Sequence, residues 1–141
     1  MKKRVLILCT HNSCRSQMAE GVLRHYGRDA FEVFSAGSEP SKVNETAIQV
    51  MNEIGIDISK QHSKHVKNFI GEHFHYIITV CDQANEHCPI FPGMSQRLFW
   101  PFPDPSYDRE MTDETLNEFR KVRDMIHERF KRFAETEFKK T

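Results

Sequence analysis

The sequence has no C-x-x-C pair, no apolar run approaching a membrane span, no internal repeat, no low-complexity tract and no excess of either charge. Each absence removes a class of function. Four cysteines without C-x-x-C spacing suit neither a zinc ribbon nor a thioredoxin-like site. Twenty basic and twenty acidic residues cancel over 141, so the global charge gives no attraction to nucleic acid or to a membrane surface. A small anionic ligand would need a local trap. Met1-Lys2-Lys3-Arg4 precedes only five apolar residues, too few for an export signal, and the expectation is a soluble cytoplasmic protein. In a reducing compartment Cys9, Cys14, Cys81 and Cys88 are not expected to form a disulfide framework; they are buried and inert, bind metal, or react. His73, His75 and His87 could join Cys81 and Cys88 around zinc, but no recognised spacing supports it. No metal and no cofactor are expected.

What is present reads as one α/β domain spanning residues 1–141. Short apolar runs at Val5 to Leu8, Phe31 to Phe34, Tyr76 to Val80 and Leu98 to Trp100 have strand length. Helical spacing lies between and after them. Met18, Val22, Leu23 and Tyr26 form one face of a helix that starts near Ser13 and stops at Gly27. A second opens at Asn44 with Ile48, Met51 and Ile54 on its apolar side, and a third runs from Asp113 to about Phe138. This alternation predicts a parallel sheet covered on both faces by helices. The prolines between Pro89 and Pro105 predict loops around a short strand.

The most informative stretch is CTHNSCRSQ, Cys9 to Gln17, where the first strand runs out and the first helix begins. Ligands of open α/β sheets bind beyond the carboxyl ends of the strands. A loop of Thr10, His11, Asn12 and Ser13 followed by a helix through Cys14, Arg15 and Ser16 would aim backbone N–H groups at one point, a site for a tetrahedral oxyanion. Arg15 adds a planar fork of donors that suits two oxygens of such an anion. Asn12 is the loop residue best able to take a left-handed conformation, and the Ser16 hydroxyl can donate toward Cys9. Those donors favour a thiolate, which predicts Cys9 as a nucleophile with a depressed pKa. The stretch Cys9 to Glu20 resembles the signature of the low-molecular-weight protein tyrosine phosphatases. That resemblance implies a four-stranded parallel sheet flanked by helices, Cys9 as nucleophile and Arg15 as oxyanion clamp.

Loss of an oxygen from the anion calls for a proton donor. Asp104, between Pro103 and Pro105, is the candidate, although an aspartate there also makes an ordinary turn; the family carries its general acid in a D-P motif near this point. Family phosphatases follow D-P with two aromatic residues, whereas here Ser106 and Tyr107 follow. Cys81 ends the third strand, on the edge of the sheet where Cys9 emerges, and Cys88 follows seven residues later. Bridging the two is expected to need rearrangement of the turn between them. A phosphatase has no use for these thiols, and a reductase does.

Beyond the loop, FSAG at Phe34 to Gly37, GIDIS at Gly55 to Ser59, the Cys81/Cys88 pair before Pro89, W-x3-D-P at Trp100 to Pro105 and FRKVRD from Phe119 together resemble the thioredoxin-coupled arsenate reductases of that family. The resemblance implies a redox triad of Cys9, Cys81 and Cys88, a Cys9–Cys81 and then a Cys81–Cys88 disulfide, thioredoxin as electron donor, arsenate as substrate, and a monomer. Cys14 is then a loop-lining thiol outside the triad. Two positions depart from the pattern. His11 stands where many relatives have glycine. Lys64 stands where cation-binding relatives have an acid beside residues equivalent to Asn12, Glu20 and Ser35, so its ammonium would replace the ion. The competing readings are a phosphatase using Cys9, Arg15 and Asp104 alone, and a thiol-based sensor, for which no DNA-binding helix pair or basic face is evident.

Overall fold

A computed structural model describes residues 2–82, 88–106 and 112–139. Four strands, β1 (Lys3–Cys9), β2 (Phe31–Gly37), β3 (Tyr76–Thr79) and β4 (Gln96–Phe99), pair in parallel in the order β2-β1-β3-β4. Three α-helices accompany them: α1 (Arg15–Gly27), α2 (Glu45–Asn52) and α3 (Asp113–Lys139). In this order the chain leaves β1 to one side for β2 and returns to the other for β3. The crevice where the winding reverses lies beyond the carboxyl ends of β1 and β3.

Burial follows the pleat. Val5, Ile7, Tyr76 and Ile78 point to one face and Leu6, Leu8 and Ile77 to the other, and all are buried. The first face carries Met18, Val22 and Leu23 of α1 with Phe119, Val122, Ile126 and Phe130 of α3. Helix α2 adds Ala47, Val50 and Met51 to this same cluster, and Arg123 of α3 clamps it by donating to the Val50 carbonyl at 3.0 Å and to Glu53 at 2.7 Å.

The sheet is flanked by helices, as expected, but unequally. Among the described residues the second face is closed by one short 3-10 helix, Val66–Phe69, and by loops, around the aromatic cluster Phe34, Phe69, Phe74 and Phe91. The cause is α2. The connection from β2 to β3 sends its one α-helix onto the other helices and leaves the crossover to irregular chain capped by rings. Arg4 stacks over Phe34 and Phe74 at 4.9 and 4.6 Å, sealing the cluster with a cation–π contact. Strand β4 begins two residues earlier than its apolar run. Trp100 lies beyond it and packs its ring on Phe130 and Phe133.

Candidate active site

Strand β1 delivers Cys9, 3% exposed, to the carboxyl edge of the sheet, and residues 10–14 connect it to α1. Asn12 takes the left-handed conformation, φ 48°, as its residue type allows. The helix starts at Arg15, two residues later than expected, because Ser13 and Cys14 belong to the turn of the loop; Cys14 is the N-cap and offers no side-chain bond to the first N–H groups of α1.

The carbonyls of the loop all face the protein. Thr10 O accepts from Glu39 N at 2.9 Å, and His11 O from Ser41 N at 3.3 Å and Ser63 Oγ at 3.0 Å. Asn12 O accepts from Gln17 Nε2 at 2.9 Å, Ser13 O from Asn44 N at 2.9 Å and Cys14 O from Met18 N at 2.9 Å. A trans peptide points its N–H opposite to the preceding C=O. Five carbonyls fixed outward leave the N–H groups of residues 11 to 15 on the other side, an anion-binding nest at a helix N-terminus.

Arg15 is 2% exposed. Its Nη1 donates to Phe102 O at 3.1 Å, and its Nη2 lies 3.7 Å from Asp104 Oδ2. Phe102 is itself tied to the end of β3 through Val80 O, 3.1 Å from its N, so the proline-rich segment brings Asp104 to the loop. Asp104 is fixed from the other side by Ser106, whose N and Oγ donate to Oδ1 at 2.8 and 2.6 Å. One carboxylate oxygen thus serves the turn and the other faces the arginine. Tyr107 and His87 lie outside the described residues.

All four sulfurs share one region. Cys9, Cys14 and Cys81 belong to the core cluster of the helical face, and Cys88 packs against it. Cys81 and Cys88 are joined in a disulfide with Cα atoms 6.1 Å apart, while Cys9 and Cys14 are free thiols. That separation is ordinary for a disulfide, and the turn expected to rearrange on bridging, residues 83–87, lies outside the described residues. Burial pushes the Cys14 thiol well above its usual pKa, helped by the charges of Asp104 and Cys9 and opposed by Arg15, which keeps it protonated at neutral pH.

Behind the loop, Asn12 donates to Ser16 Oγ at 2.8 Å and to Ser35 Oγ at 2.9 Å, and accepts from Lys64 N at 2.9 Å. Ser35 donates to buried Glu20, which faces Lys64 Nζ at 3.7 Å and Arg24 Nε at 3.0 Å. Burial draws the Lys64 ammonium below its ordinary pKa, with Glu20 opposing. The ammonium therefore stands beside Glu20 at the edge of the Asn12–Ser35–Glu20 cluster, donating to His62 O at 2.6 Å. Among the described residues no group of three or more His, Cys, Asp or Glu is arranged to hold a metal, and no helix is long and apolar enough to cross a membrane.

Residues 4–141 match the family model described as low molecular weight phosphotyrosine protein phosphatase. The chain belongs to that family. Within it, the chain is 44% identical over 135 residues to an "Arsenate reductase" of Shouchella clausii, covering 96% of this chain and 97% of that protein. A solved structure described as "An arsenate reductase in the phosphate binding state" superposes with a TM-score of 0.74 at 34% identity, covering 96% of this chain and 98% of the other. A "thioredoxin-dependent arsenate reductase" of Corynebacterium glutamicum gives a TM-score of 0.62 at 27% identity, over 92% of this chain and 62% of that one.

Membership of the phosphatase family accounts for the four-stranded parallel sheet. His11 is exposed, with Nδ1 3.1 Å from Glu39 O, so its ring turns to the outer side of the loop. Reading the sequence missed the supports around the loop: Gln17 and Gln61, neutral amides without a motif, and Gly37. A Cβ on Gly37 would lie 2.4 Å from Thr10 O and 2.8 Å from Cys9 O.

Proposed function

We propose that this protein is an arsenate reductase of arsenic detoxification, working through three thiols and re-reduced by thioredoxin. The observation that carries the reading is the meeting of an oxyanion nest ending on Cys9 with a bonded Cys81–Cys88 pair in the same core cluster. The names of the relatives support the choice of substrate and of electron donor.

In this reading arsenate sits on the N–H groups of residues 11 to 15 with Arg15 gripping two oxygens. The Cys9 thiolate attacks arsenic, Asp104 gives its proton to the departing hydroxide, and water leaves, forming a Cys9 thiol–arsenic adduct. The Cys81 thiolate then attacks the Cys9 sulfur. The S–As bonding pair passes to arsenic, reducing it from As(V) to As(III), and arsenite departs with a Cys9–Cys81 disulfide left behind. Cys88 attacks the Cys81 sulfur, releases the Cys9 thiolate and closes Cys81–Cys88. A dithiol partner, thioredoxin, takes this disulfide back to two thiols. Thr10, His11, Asn12, Ser13, Cys14 and Ser16 shape the site, and protonated Cys14 stays out of the relay. The reading includes a single cytoplasmic domain acting as a monomer.

The deciding assay is arsenate-dependent oxidation of reduced thioredoxin, coupled to its reductase and NADPH. Wild type turns over; Cys9→Ser, Cys81→Ser and Cys88→Ser do not. The family name supports a second reading, hydrolysis of aryl phosphates by Cys9, Arg15 and Asp104. Cys9-dependent hydrolysis without arsenate turnover would make that the function and leave Cys81 and Cys88 without a role.

A further inference from the structure

Of the five outward carbonyls of the loop, four are held by main-chain donors: Glu39 N, Ser41 N, Asn44 N and Met18 N. The Asn12 carbonyl is held by a side chain, through Gln17 Nε2 at 2.9 Å. It follows the residue with φ 48°, where the chain reverses. Rotation of the peptide after Asn12 needs only compensating changes in the Asn12 ψ and the Ser13 φ, and among the described residues its carbonyl is the one of the five that no main-chain donor holds.

Gln17 is fully buried in the first turn of α1 and uses both ends of its amide. Nε2 donates to Asn12 O and to His62 O at 3.1 Å, and Oε1 accepts from Gln61 Nε2 at 2.8 Å. Gln61 also donates to the Gln17 carbonyl at 3.0 Å. Gln61 thus fixes which end of the Gln17 amide carries hydrogens toward the loop. On the other side of the same peptide, the Ser13 N–H makes no main-chain hydrogen bond among the described residues.

We propose that Gln17 is a positioning residue: its amide latches the Asn12–Ser13 peptide so that the Ser13 N–H faces the oxyanion, with Gln61 holding the latch in register. The inference rests on the loop binding an oxyanion, as in the proposed function. Without the latch the peptide turns over, presents a carbonyl where the anion needs a donor, and replaces attraction by repulsion. Gln17 touches neither anion nor reacting sulfur, so its effect appears through the loop alone.

The test uses the whole protein with inorganic phosphate as a non-reducible probe, measured by calorimetry, together with ultraviolet titration of the Cys9 thiolate and the Tm with and without phosphate. Gln17→Met keeps the volume of the side chain and removes the donors. It is expected to weaken phosphate binding about tenfold, as loss of hydrogen bonds to a buried carbonyl implies, to raise the Cys9 pKa, and to raise KM for arsenate more than it lowers kcat. Gln61→Met changes no residue of α1 or the loop and should show a smaller change in the same three readouts; it decides the matter if Gln17→Met does not fold. Wild-type phosphate affinity and thiolate pKa in a folded Gln17→Met, or in Gln61→Met should the first not fold, would overturn the latch. Absence of phosphate binding in wild type would instead overturn the oxyanion reading itself.

Discussion

Gly37 ends β2 directly beside the start of the oxyanion loop, and replacing it by alanine puts the packing account to a quantitative test. A Cβ there would meet three main-chain atoms, Thr10 O at 2.4 Å, Cys9 O at 2.8 Å and Asn12 N at 2.9 Å. None can swing aside as a side chain would. Restoring a contact of about 3.4 Å means moving Thr10 O by about 1 Å. Thr10 O is also the acceptor of Glu39 N, and Gly37 N donates to Lys64 O, so the strain spreads to both flanking segments. Overpacking of this kind costs about 1–3 kcal/mol, which in a chain of this size lowers Tm by roughly 3–12 °C. A displacement near 1 Å in a site built for one geometry costs up to about a hundredfold in rate. Gly37→Ala should therefore weaken phosphate binding and arsenate turnover by at least about tenfold while remaining folded at 25 °C. Gly55→Ala is the control: with φ 79° and open space around it, it should cost about 1–2 kcal/mol of backbone strain and leave phosphate affinity unchanged. Wild-type phosphate affinity and Tm in Gly37→Ala would refute the claim that a missing side chain makes room for the loop.

Lys64→Met leaves buried Glu20 with only Ser35 and Arg24 as partners, and removing one member of such a cluster should lower Tm, by about 1–3 kcal/mol of stability. If the ammonium stands in for an ion, Lys64→Asp should gain a Tm that rises when potassium replaces sodium, while wild type shows no such difference. At the opposite end of the sheet, burial and then the hydrogen bond to Glu137 push the Tyr76 phenol from 10.0 up to about 12. The fold favours the neutral phenol, so this contribution is fully present below pH 10 and is lost as pH rises toward 12. Absorbance at 295 nm should show one late-titrating tyrosine, and Glu137→Gln should move it toward 10.

The parts of the fold visible in the sequence are those whose physics is local and periodic. Val5 to Leu8 are apolar on every residue, and Tyr76 to Val80 on all but Thr79, because both faces of a central parallel strand are covered, and the stripe from Leu116 to Phe133 follows from one long helix lying on the sheet. The turn at Asn12 was legible because a strand end, a residue type that tolerates the left-handed conformation and a helical run follow one another in the sequence. Helix α2 was placed correctly and its face in part: Met51 is buried as expected, but Ala47 and Val50 are the other inner residues, while Ile48 and Ile54 pack against the core only partly covered. Its face is set by contact with α1 and α3, which single-helix periodicity cannot encode. Gln17 and Gln61 lie 44 residues apart and carry no charge, so only the folded chain reveals their pairing. The four-residue turn at Val66–Phe69 is too short to leave a pattern.

The Cys81–Cys88 bond closes a loop with a sequence separation of only seven, and that shortness has a thermodynamic meaning of its own. Folding and oxidation are linked: whatever stability a crosslink lends the fold reappears as a bias of the thiol pair toward its oxidised form. A loop of this length constrains the unfolded chain by about 2.5 kcal/mol at most, against about 4.7 for a crosslink spanning a hundred residues. The fold can thus bias this pair by about 55 mV, roughly half of what the long crosslink would impose. A staple needs that coupling to be large. A pair that the proposed relay reopens after every turnover needs it small, and its short span would leave the position of equilibrium chiefly to the proposed dithiol partner.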